Sequence, residues 1–294
     1  MAESKVERKG SSTAGYTCFS RACAAREKDA RFRGPDHLAE IFLPPFAWVL
    51  LNVPLLRKWC VHKMFPPGMH EYLLARTAVF DAAFVDALER DFSQIVLLGS
   101  GMDTRAWRFQ DRNRGTKVFD LDIGATQRYK RKLLGRKKVA LPETLAFAPI
   151  DFNKECLADA LAPAGYHEGR QTLFLWEGVT MYLGAEAVDS TLAFIRSSAA
   201  GGSVVVFDYV RASVLRRMGT LYGEKEAYEM VARADEEWKF GIEDGAIAAF
   251  LTKRDFAMLS HYMPSDLEAA YLMAEVGPKF GRINETHCIV IAGI

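Results

Sequence analysis

Apolar and polar residues follow two different patterns along the chain, and the pattern changes near residue 90. From residue 94 onward, short apolar runs rich in β-branched residues are separated by longer segments with helical spacing. The predicted strands are QIVLLGS (94–100), TKVFDLD (116–122), LAFAPID (145–151), TLFLWEG (172–178), GSVVVFDYV (202–210) and INETHCIVIAGI (283–294). Strands that alternate with helices predict βαβ units and a doubly wound, parallel α/β sheet covered on both faces.

Helical patterns fill the intervals between these strands. The three segments are GATQRYKRKLLG (124–135), NKECLADALAPA (153–164) and AEAVDSTLAFIRSSAAGG (185–202). Residues 211–247 are polar, helical in pattern and too long for an ordinary connection, so we expect an inserted helical cap there. After this cap, Thr252 and Asp255 stand at the spacing of a capping box and predict a helix that restarts the core.

The first ninety residues show helical rather than strand patterns. Segments 11–27 and 70–91 have helical periodicity, and they flank a proline-rich apolar stretch at 42–56. We therefore expect residues 1–90 to form a helical cover that also caps the substrate. Residues 91–294 would form the core, with the inserted cap at 211–247.

Charge and composition limit the classes of partner. The 294 residues include 38 Lys and Arg against 37 Asp and Glu, so a net charge near +1 gives no overall field that would attract nucleic acid. The basic run at 127–138 lies in a helix expected to face solvent, and we expect no nucleic-acid partner. Half of the residues are hydrophobic, which is enough for a large buried core. The sequence leaves the oligomeric state open.

The sequence also predicts a cytoplasmic protein without stable membrane insertion. The first ten residues contain no apolar signal-peptide core, and the apolar stretch 42–56 is shorter than a membrane span and rich in proline. The five cysteines are scattered and show no spacing typical of a zinc site. We interpret them as reduced thiols and expect no metal.

A glycine loop follows the first predicted strand and carries the first chemical signal. In LLGSGMDTR, Gly99 and Gly101 occupy the first two glycine positions of a dinucleotide fingerprint, but Thr104 stands where the third glycine is needed. The acid Asp103 would also repel a pyrophosphate group at the start of the following helix. The loop therefore favours a cationic ligand over a phosphate.

Acids also end the next two strands. Asp120 and Asp122 lie about 20 residues beyond the glycine loop, where a ribose-binding acid is expected. Asp151 and Phe152 end the third strand and offer an acceptor for an adenine amino group and an aromatic face for its ring. S-adenosylmethionine fits these features because it carries a sulfonium, an ammonium and ribose hydroxyls but no phosphate.

Several of these motifs resemble one known family. LLGSGMDTRAWRF (97–109), the strand ending at Asp122, IDF (150–152), LWEGVTMYL (175–183) and GSSTAGYTCFSRACAARE (10–27) are similar to the leucine carboxyl methyltransferase family and its bacterial O-methyltransferase relatives. The resemblance implies a class I methyltransferase fold, which is Rossmann-like and mostly parallel with an antiparallel last strand. It also implies S-adenosylmethionine as cofactor and S-adenosylhomocysteine as product.

The resemblance assigns roles to individual residues. Gly99 and Gly101 would lie at the methionine moiety, Asp122 at the ribose, Asp151 and Phe152 at adenine, Glu177 at the methionyl part and Arg76 at the cofactor carboxylate. Asp103 is also expected among the cofactor-binding residues. The family usually has Glu where this chain has Asp120, which leaves open whether Asp120 or Asp122 reaches the ribose. A local alternative also remains for Asp103 and Arg105, which would simply cap the helix and pair with each other.

We expect the acceptor to be a small, largely apolar molecule that is methylated at a carboxylate. A carboxylate needs no general base, and the sequence offers no clear one, since His70, His261 and His287 are each interpreted as structural. Arg21 and Tyr16 would cradle the acceptor carboxylate. Phe46, Trp48, Trp59 and Phe65, with the 211–247 cap, would enclose the apolar part.

Other functions stay open at this point. The acceptor could be a hydroxyl group of a natural product or the C-terminal carboxylate of a protein. A nicotinamide-dependent oxidoreductase or a cofactor-binding module without catalysis is a further alternative, and Thr104 argues against the oxidoreductase.

Overall fold

Eight strands form a single mixed sheet in the computed structural model, which describes residues 12–234, 236–273 and 280–294. The strands are β1 (Gln94–Leu98), β2 (Lys117–Asp122), β3 (Leu145–Pro149), β4 (Thr172–Trp176), β5 (Val204–Arg211), β6 (Gly241–Ile242), β7 (Ala257–Tyr262) and β8 (His287–Gly293). Their order is β3-β2-β1-β4-β5-β8-β7, with the short β6 paired to the end of β5.

Strand direction follows the sequence-based expectation. Strands β1 to β5 are parallel to one another, and β8 runs antiparallel to β5. The chain order reverses between β1 and β4, and the crevice beyond the carboxyl ends of such strands is the usual ligand site of doubly wound sheets. The prediction of a mostly parallel doubly wound sheet with an antiparallel last strand is confirmed.

Two strands were missed, namely β7 and the two-residue β6 inside the expected helical cap, and the capping box proposed beside β7 was wrong. Thr252 ends a helix instead of starting one, and the chain then turns through Asp255, which has a φ of 61°, into β7. Strand β7 lies at the edge of the sheet, antiparallel to β8, and none of its side chains is fully buried. An edge strand of this kind lacks the continuous apolar run that identifies the central strands.

Twelve α-helices surround the sheet in the described ranges. They are α1 (Ser12–Ala24), α2 (Ala47–Asn52), α3 (Pro54–Met64), α4 (Met69–Glu89), α5 (Arg105–Arg108), α6 (Gly124–Arg136), α7 (Leu157–Leu161), α8 (Ala185–Ser198), α9 (Ala212–Leu215), α10 (Glu224–Ala234), α11 (Ile247–Thr252) and α12 (Pro264–Tyr271). Short 3-10 helices occupy Ala30–Phe32, Ala39–Phe42, Gln110–Arg112 and Thr180–Tyr182. The helices before β1 and those after β5 stand where the helical cover and the inserted cap were expected, whereas the domain boundaries at 90 and 91 stay a prediction.

The central strand β1 shows why both faces of the sheet are covered. Successive side chains of a strand point to opposite faces, and all five residues of β1 are buried. Ile95 and Leu97 join a core cluster with residues of α1 and α4, whereas Val96 and Leu98 join a second cluster with residues of α8 and α11. Helix α4 thereby lies against the sheet and points its first half toward the carboxyl ends of the strands.

Candidate active site

A cavity of about 370 Å³ opens beyond the carboxyl ends of β1, β2 and β4. Its wall contains every residue that the sequence assigned to the cofactor or to the acceptor's carboxylate. These are Tyr16, Arg21, Arg76, Gly99, Gly101, Asp103, Asp122, Asp151, Phe152 and Glu177. The topology therefore brings together residues that are up to 161 positions apart in the sequence.

The glycine loop after β1 is shaped by close backbone contact. Gly99 has a φ of 69°, a region that side chains with a Cβ rarely adopt. A Cβ atom at this position would also lie 2.4 Å from Cγ2 of Val179, in the loop after β4. Both observations explain why glycine is required where these two loops meet at the floor of the cavity.

Asp122 lies at the end of β2 and faces this loop. Its Oδ2 accepts a hydrogen bond from the backbone N–H of Gly101 at 2.6 Å, and its Oδ1 accepts one from the N–H of Ile123 at 2.7 Å. Burial raises the pKa of Asp122 to about 6, although the hydrogen bond from Gly101 opposes the shift. Its carboxylate is thus fixed in place, with lone pairs left for a ligand.

Asp120 has a different, structural role. It is fully buried, its Oδ2 lies 2.6 Å from Nζ of the equally buried Lys130, and its Oδ1 accepts a hydrogen bond from Ser100 Oγ at 2.6 Å. Asp120 does not line the cavity. Of the two acids at the end of β2, the structure therefore places Asp122 at the cavity and Asp120 in the core.

Glu177 joins two arginines at the end of β4. Its Oε1 accepts a hydrogen bond from Arg76 Nε at 3.0 Å, and its Oε2 accepts one from Arg105 Nη1 at 2.7 Å. Burial acts to raise the pKa of Glu177, but the positive charges of Arg105 and Arg76 outweigh it and lower the pKa. Glu177 is therefore a carboxylate at neutral pH, and it borders the cavity.

Asp208, on β5, is the second carboxylate that binds Arg76, and it was not identified from the sequence as a site residue. It is fully buried, and its Oδ2 accepts hydrogen bonds from Arg76 Nη1 and from Tyr72 OH, each at 2.9 Å. Its Oδ1 accepts a hydrogen bond from Gly178 N at 2.6 Å. An acid between Phe207 and Tyr209 in an otherwise apolar strand was the available signal, since buried carboxylates require partners.

Asp103 and Arg105 form the helix cap and the ion pair that the local alternative expects, and both also line the cavity. Asp103 accepts the backbone N–H of Arg105 at 2.7 Å and pairs with its guanidinium. Arg105 Nε also donates to Asp81 at 2.7 Å, and Asp81 in turn binds Arg108. These two residues therefore hold the loop to helix α4, as a helix cap and ion pair would.

The buried network around the cavity carries an excess of negative charge. It contains four arginines and five carboxylates, namely Arg21, Arg76, Arg105, Arg108, Asp36, Asp81, Asp103, Glu177 and Asp208. A ligand with a net positive charge would neutralise this excess. The electrostatics therefore agree with the cationic preference inferred from the glycine loop.

Arg21 and Tyr16 both belong to α1, but Arg21 is held by hydrogen bonds whereas Tyr16 is partly exposed. Arg21 donates to Asp36 Oδ2 at 2.6 Å and to the backbone oxygen of Met102 at 2.9 Å, which anchors α1 to the glycine loop. Tyr16 is 38% exposed at the cavity wall. The structure thus gives Arg21 an anchoring role in addition to its place in the wall.

Asp151 and Phe152 follow β3 and border the cavity on its outer side. Asp151 Oδ1 accepts the backbone N–H of Asn153 at 3.0 Å, and its Oδ2 lies 3.3 Å from Lys154 Nζ. The ring of Phe152 is half-buried against the second core cluster. Asp151 is thus held by its own loop, with Phe152 beside it.

The inserted segment after β5 supplies a second part of the wall. Met230, Trp238 and Lys239 line the cavity, and the N–H groups of Lys239 and Phe240 donate to Met181 O at 2.6 and 3.2 Å. Those two bonds attach the insert to the loop after β4. The sequence of the inserted segment is polar and helical in pattern, and nothing in that pattern distinguishes the residues that line the cavity.

His287 is the only one of the three candidate histidines that lines this cavity. Strand register places it opposite Val210, at the carboxyl end of β5. Asn284 Nδ2 donates to Pro67 O at 2.9 Å, so Asn284 Oδ1 accepts the Thr286 hydroxyl and Thr286 Oγ1 accepts His287 Nδ1–H at 2.7 Å. This chain leaves Nε2 of His287 as an unprotonated acceptor.

The other two histidines lie elsewhere, as the structural interpretation expects. His70 Nδ1 is 2.8 Å from Ser20 Oγ, and burial lowers the pKa of His70 to about 4. His261 Nε2 is 2.9 Å from the Tyr209 hydroxyl, and burial lowers its pKa as well. Neither borders the cavity.

The predicted aromatic enclosure is correct in part. Phe65 lines the cavity with the inserted segment. Trp48 and Trp59 do not, because their side chains are 64% and 60% exposed on α2 and α3. Phe46 lines a neighbouring apolar groove of about 390 Å³ instead. Periodicity alone could not show which face of these short helices meets the protein.

Comparison with known proteins decides the family. The model of the family described as leucine carboxyl methyltransferase matches residues 14–196, which is more than half of the chain. The chain belongs to the leucine carboxyl methyltransferase family. The matched region includes the glycine loop, Asp122 and Glu177, whereas the inserted segment and His287 lie beyond it.

Two bacterial relatives carry names of the same kind. YktD of Bacillus subtilis, named as an S-adenosyl-L-methionine-dependent methyltransferase, is 28% identical over 194 residues, or 66% of this chain and 64% of the relative. A protein of Mycobacterium ulcerans with a similar name is 34% identical over 140 residues, or 48% of this chain and 44% of the relative. The match spans less than two thirds of either relative.

Solved structures agree on the fold of this methyltransferase family member. A DUF574 family protein from Streptomyces avermitilis has a TM-score of 0.59 and 12% identity, with 95% of this chain and 96% of that chain covered. A Thermobifida fusca protein described as a methyltransferase has a TM-score of 0.57 and 15% identity, with 96% and 97% covered. The fold expected from the family resemblance, that of the class I methyltransferases, is confirmed.

Proposed function

We propose that this protein is an S-adenosylmethionine-dependent O-methyltransferase that forms methyl esters on small, largely apolar carboxylic acids. The cofactor part rests on membership of the family and on the fit between the cavity and the cofactor's charges. The acceptor part rests on the side chains that the inserted segment adds to the cavity.

The residues present fit S-adenosylmethionine. Bound there, the cofactor would supply a methyl group activated by a positively charged sulfur. Asp122, held by two backbone N–H groups, would accept the ribose hydroxyls, while Asp151 and Phe152 would border adenine. Glu177 would lie by the methionyl part, and the negative excess of the buried network suits a ligand that is cationic overall.

Arg76 is suited to the cofactor's carboxylate. Its Nε and Nη1 are held by Glu177 and Asp208, which fixes the plane of the guanidinium, while Nη2 has no partner among the described residues. The missing side chain at Gly178 leaves room beside it, because a Cβ atom there would lie 2.9 Å from Arg76 Nη1. Two acids would thus orient the arginine and leave one edge for a ligand.

One observation carries the acceptor proposal. Lys239 is exposed where it borders the cavity, has no ion-pair partner in the described part of the chain, and shares the cavity wall with Trp238, Met230 and Phe65. Two acids, Glu236 and Glu237, line the same cavity, and Glu236 Oε1 accepts a hydrogen bond from the backbone N–H of Thr13 at 3.5 Å. An ammonium group beside apolar side chains suits an apolar acid, whose carboxylate it would orient.

Ester formation also agrees with the acid-base properties of the site. A carboxylate is already ionised, so the protein has only to align the acceptor with the methyl group and exclude water. Good alignment lowers the activation free energy by about 7 to 11 kcal/mol. His287 is poorly suited to remove a proton near neutral pH, because burial and the charge of Arg76 lower its pKa to about 3. It would instead accept a hydrogen bond.

A second candidate function rests on the tautomer of His287. Its free Nε2 is an acceptor in the wall of the cavity, so a hydroxyl acceptor could donate to it and become an ether. Binding of a ligand would then have to raise the pKa of His287 toward neutrality. This candidate predicts a rate that falls with decreasing pH and is lost in His287→Ala.

Transfer of label from S-[methyl-³H]adenosylmethionine to a panel of aryl and alkyl carboxylic acids and their alcohol analogues tests the proposal. We expect mild alkali to release the label as volatile methanol, and Lys239→Met to raise the KM of the acid while leaving cofactor affinity unchanged. Exposed Lys253 serves as the matched control in Lys253→Met. Alkali-stable label would show an ether or an N-methyl product and would overturn ester formation.

A further comparison separates the remaining alternatives. Short peptides with a free C-terminus, offered in competition with the small acids, would win if the acceptor were a protein carboxylate. Calorimetry with S-adenosylhomocysteine and with NAD tests the cofactor itself. Binding of NAD alone would contradict the methyltransferase proposal.

A further inference from the structure

Helices α2 and α3 present an exposed apolar surface that the cavity does not use. Its most exposed members include Phe46, Trp48, Leu55 and Trp59, whose exposed fractions are 68%, 64%, 82% and 60%. Val49 and Val53 extend the same surface. We call these six residues the α2–α3 face. Contiguous exposed apolar patches on soluble proteins commonly mark interaction sites.

The α2–α3 face is firmly built. Ala47, Leu51 and Cys60 bury the opposite sides of both helices in the core. The buried Arg57 donates from Nη1 to Leu51 O at 2.8 Å and so ties the two helices together. The apolar side chains are therefore held outward by a fixed scaffold.

The charged residues of α2, α3 and the adjacent helix α6 have one sign. Glu40, an exposed acid nearby, is paired with Arg26, which also binds Asn52 of α2. No Asp or Glu occurs between residues 41 and 70, where Lys58 and Lys63 are exposed. Helix α6 is adjacent, because its Tyr129 lines the apolar groove together with Phe46. This helix also lacks acids, and Lys132 and Arg136 follow Tyr129 at helical spacing on the same side. In a chain with a net charge near +1, the basic charge here is local.

Charge complementarity identifies the occupant. In a symmetric pair of copies, the same patch lies on both partners, so the lysines and arginines of these helices would face each other, while Glu40 is already paired with Arg26. An anionic bilayer offers negatively charged headgroups to the basic residues, and its interface, where tryptophan is favoured, accepts the apolar side chains. None of the described helices has the length and apolar character to cross a bilayer.

We propose that the α2–α3 face and the basic side of α6 dock this protein reversibly onto an anionic lipid bilayer. Phe46, Trp48, Leu55 and Trp59 enter the interface, and Lys58, Lys63, Lys132 and Arg136 contact the headgroups. The groove beneath the face shares Tyr16 and Met102 with the cofactor cavity, so docking places the membrane beside that cavity.

Sedimentation with vesicles tests the docking directly. The full chain is mixed with vesicles of phosphatidylcholine alone or with 30% phosphatidylglycerol, at about 50 and about 500 mM salt, which changes the screening length severalfold. We expect binding to the anionic vesicles, a loss of it at high salt, and a blue shift of tryptophan fluorescence on binding. No sedimentation with anionic vesicles at low salt would overturn the proposal.

Variants separate the contribution of the apolar side chains to vesicle binding from that of the basic side chains. The set Trp48→Ser, Leu55→Ser and Trp59→Ser should weaken binding at least tenfold, and so should Lys132→Glu with Arg136→Glu. Met218→Ser with Leu259→Ser is the matched control, because these residues are 59% and 57% exposed elsewhere. Calorimetry with S-adenosylhomocysteine shows that each variant is folded, because none of these residues lines the cofactor cavity.

Two results would contradict the proposal. Vesicle binding that survives all of these substitutions unchanged would place the contact elsewhere. A dimer that light scattering detects in the unaltered chain, and that the serine set dissociates, would show that a second copy covers the α2–α3 face. Both results are independent of which acceptor the enzyme methylates.

Discussion

Arg76 and Glu177, which are 101 positions apart in the sequence, meet at 3.0 Å between Nε and Oε1 at the carboxyl edge of the sheet. Helix α4 contributes the arginine and the end of β4 contributes the acid. The pair fixes the guanidinium so that its remaining edge can face a ligand. This relationship underlies the first prediction.

Arg76→Ala should weaken binding of S-adenosylhomocysteine far more than binding of 5′-methylthioadenosine, which lacks the carboxylate. A lost charge-assisted hydrogen bond contributes about 1.5 to 3 kcal/mol, or roughly ten- to a hundredfold in the dissociation constant. Calorimetry with both ligands measures the difference, and the thermal midpoint reports the cost of leaving Asp208 with one fewer partner. Equal losses for the two ligands would assign Arg76 to the fold alone.

The two acids of β2 should behave differently when each loses its charge. Asp122→Asn should weaken S-adenosylhomocysteine by about 1 to 3 kcal/mol with a modest change in stability, because a ribose acceptor is weakened. Asp120→Asn should instead destabilise the protein by about 3 to 5 kcal/mol, because it leaves buried Lys130 without its charge partner. Urea unfolding and calorimetry on both variants check this, and an exchange of the two phenotypes would reverse the assignment.

Cofactor affinity should depend on pH through Asp122. Its pKa in the folded protein is raised to about 6 from a usual value of 3.8, so the carboxyl is protonated below pH 6 and loses acceptor capacity for ribose hydroxyls. Affinity for S-adenosylhomocysteine should therefore rise between pH 5 and 7, by up to about tenfold per pH unit below the pKa. Titrations across this range would show a flat profile in Asp122→Asn.

The same raised pKa has a consequence of opposite sign for stability. The folded protein binds the proton more tightly than the unfolded chain, so this contribution to stability is present below about pH 4 and is lost as the pH rises toward 6. Asp122→Asn should remove this dependence on pH. Urea unfolding between pH 4 and 7 measures it.

Gly99→Ala should disrupt the loop, because the new Cβ would lie 2.4 Å from Val179 Cγ2 and the backbone φ is 69°. We expect a loss of about 1 to 3 kcal/mol of stability together with weakened cofactor binding. Combining it with Val179→Ala should relieve the contact but keep the backbone strain, which gives partial recovery. Gly135→Ala, in the last turn of helix α6 with open space around it, is the control and should be neutral or stabilising.

The sequence by itself determined the central sheet and the cavity residues that lie at the ends of its strands. Continuous apolar runs can be satisfied only by strands buried on both faces, so β1, β2, β3, β4 and β5 were predictable within a few residues. Parallel strands place their carboxyl ends at one edge, which is why motifs at those ends converged on one cavity. The family resemblance added Arg76 and Glu177, which no local pattern distinguishes from surface charges.

Only the tertiary structure decided which of two neighbouring groups faces the ligand. Successive residues of a strand point to opposite faces, but both Asp120 and Asp122 are on the same side of β2, and the contact with Lys130 from α6 is what places Asp120 in the core. Asp208 and His287 depend on long-range partners as well, as does the outward direction of Trp48 and Trp59. Such positions follow from packing between distant segments, which the order of residues along one segment does not encode.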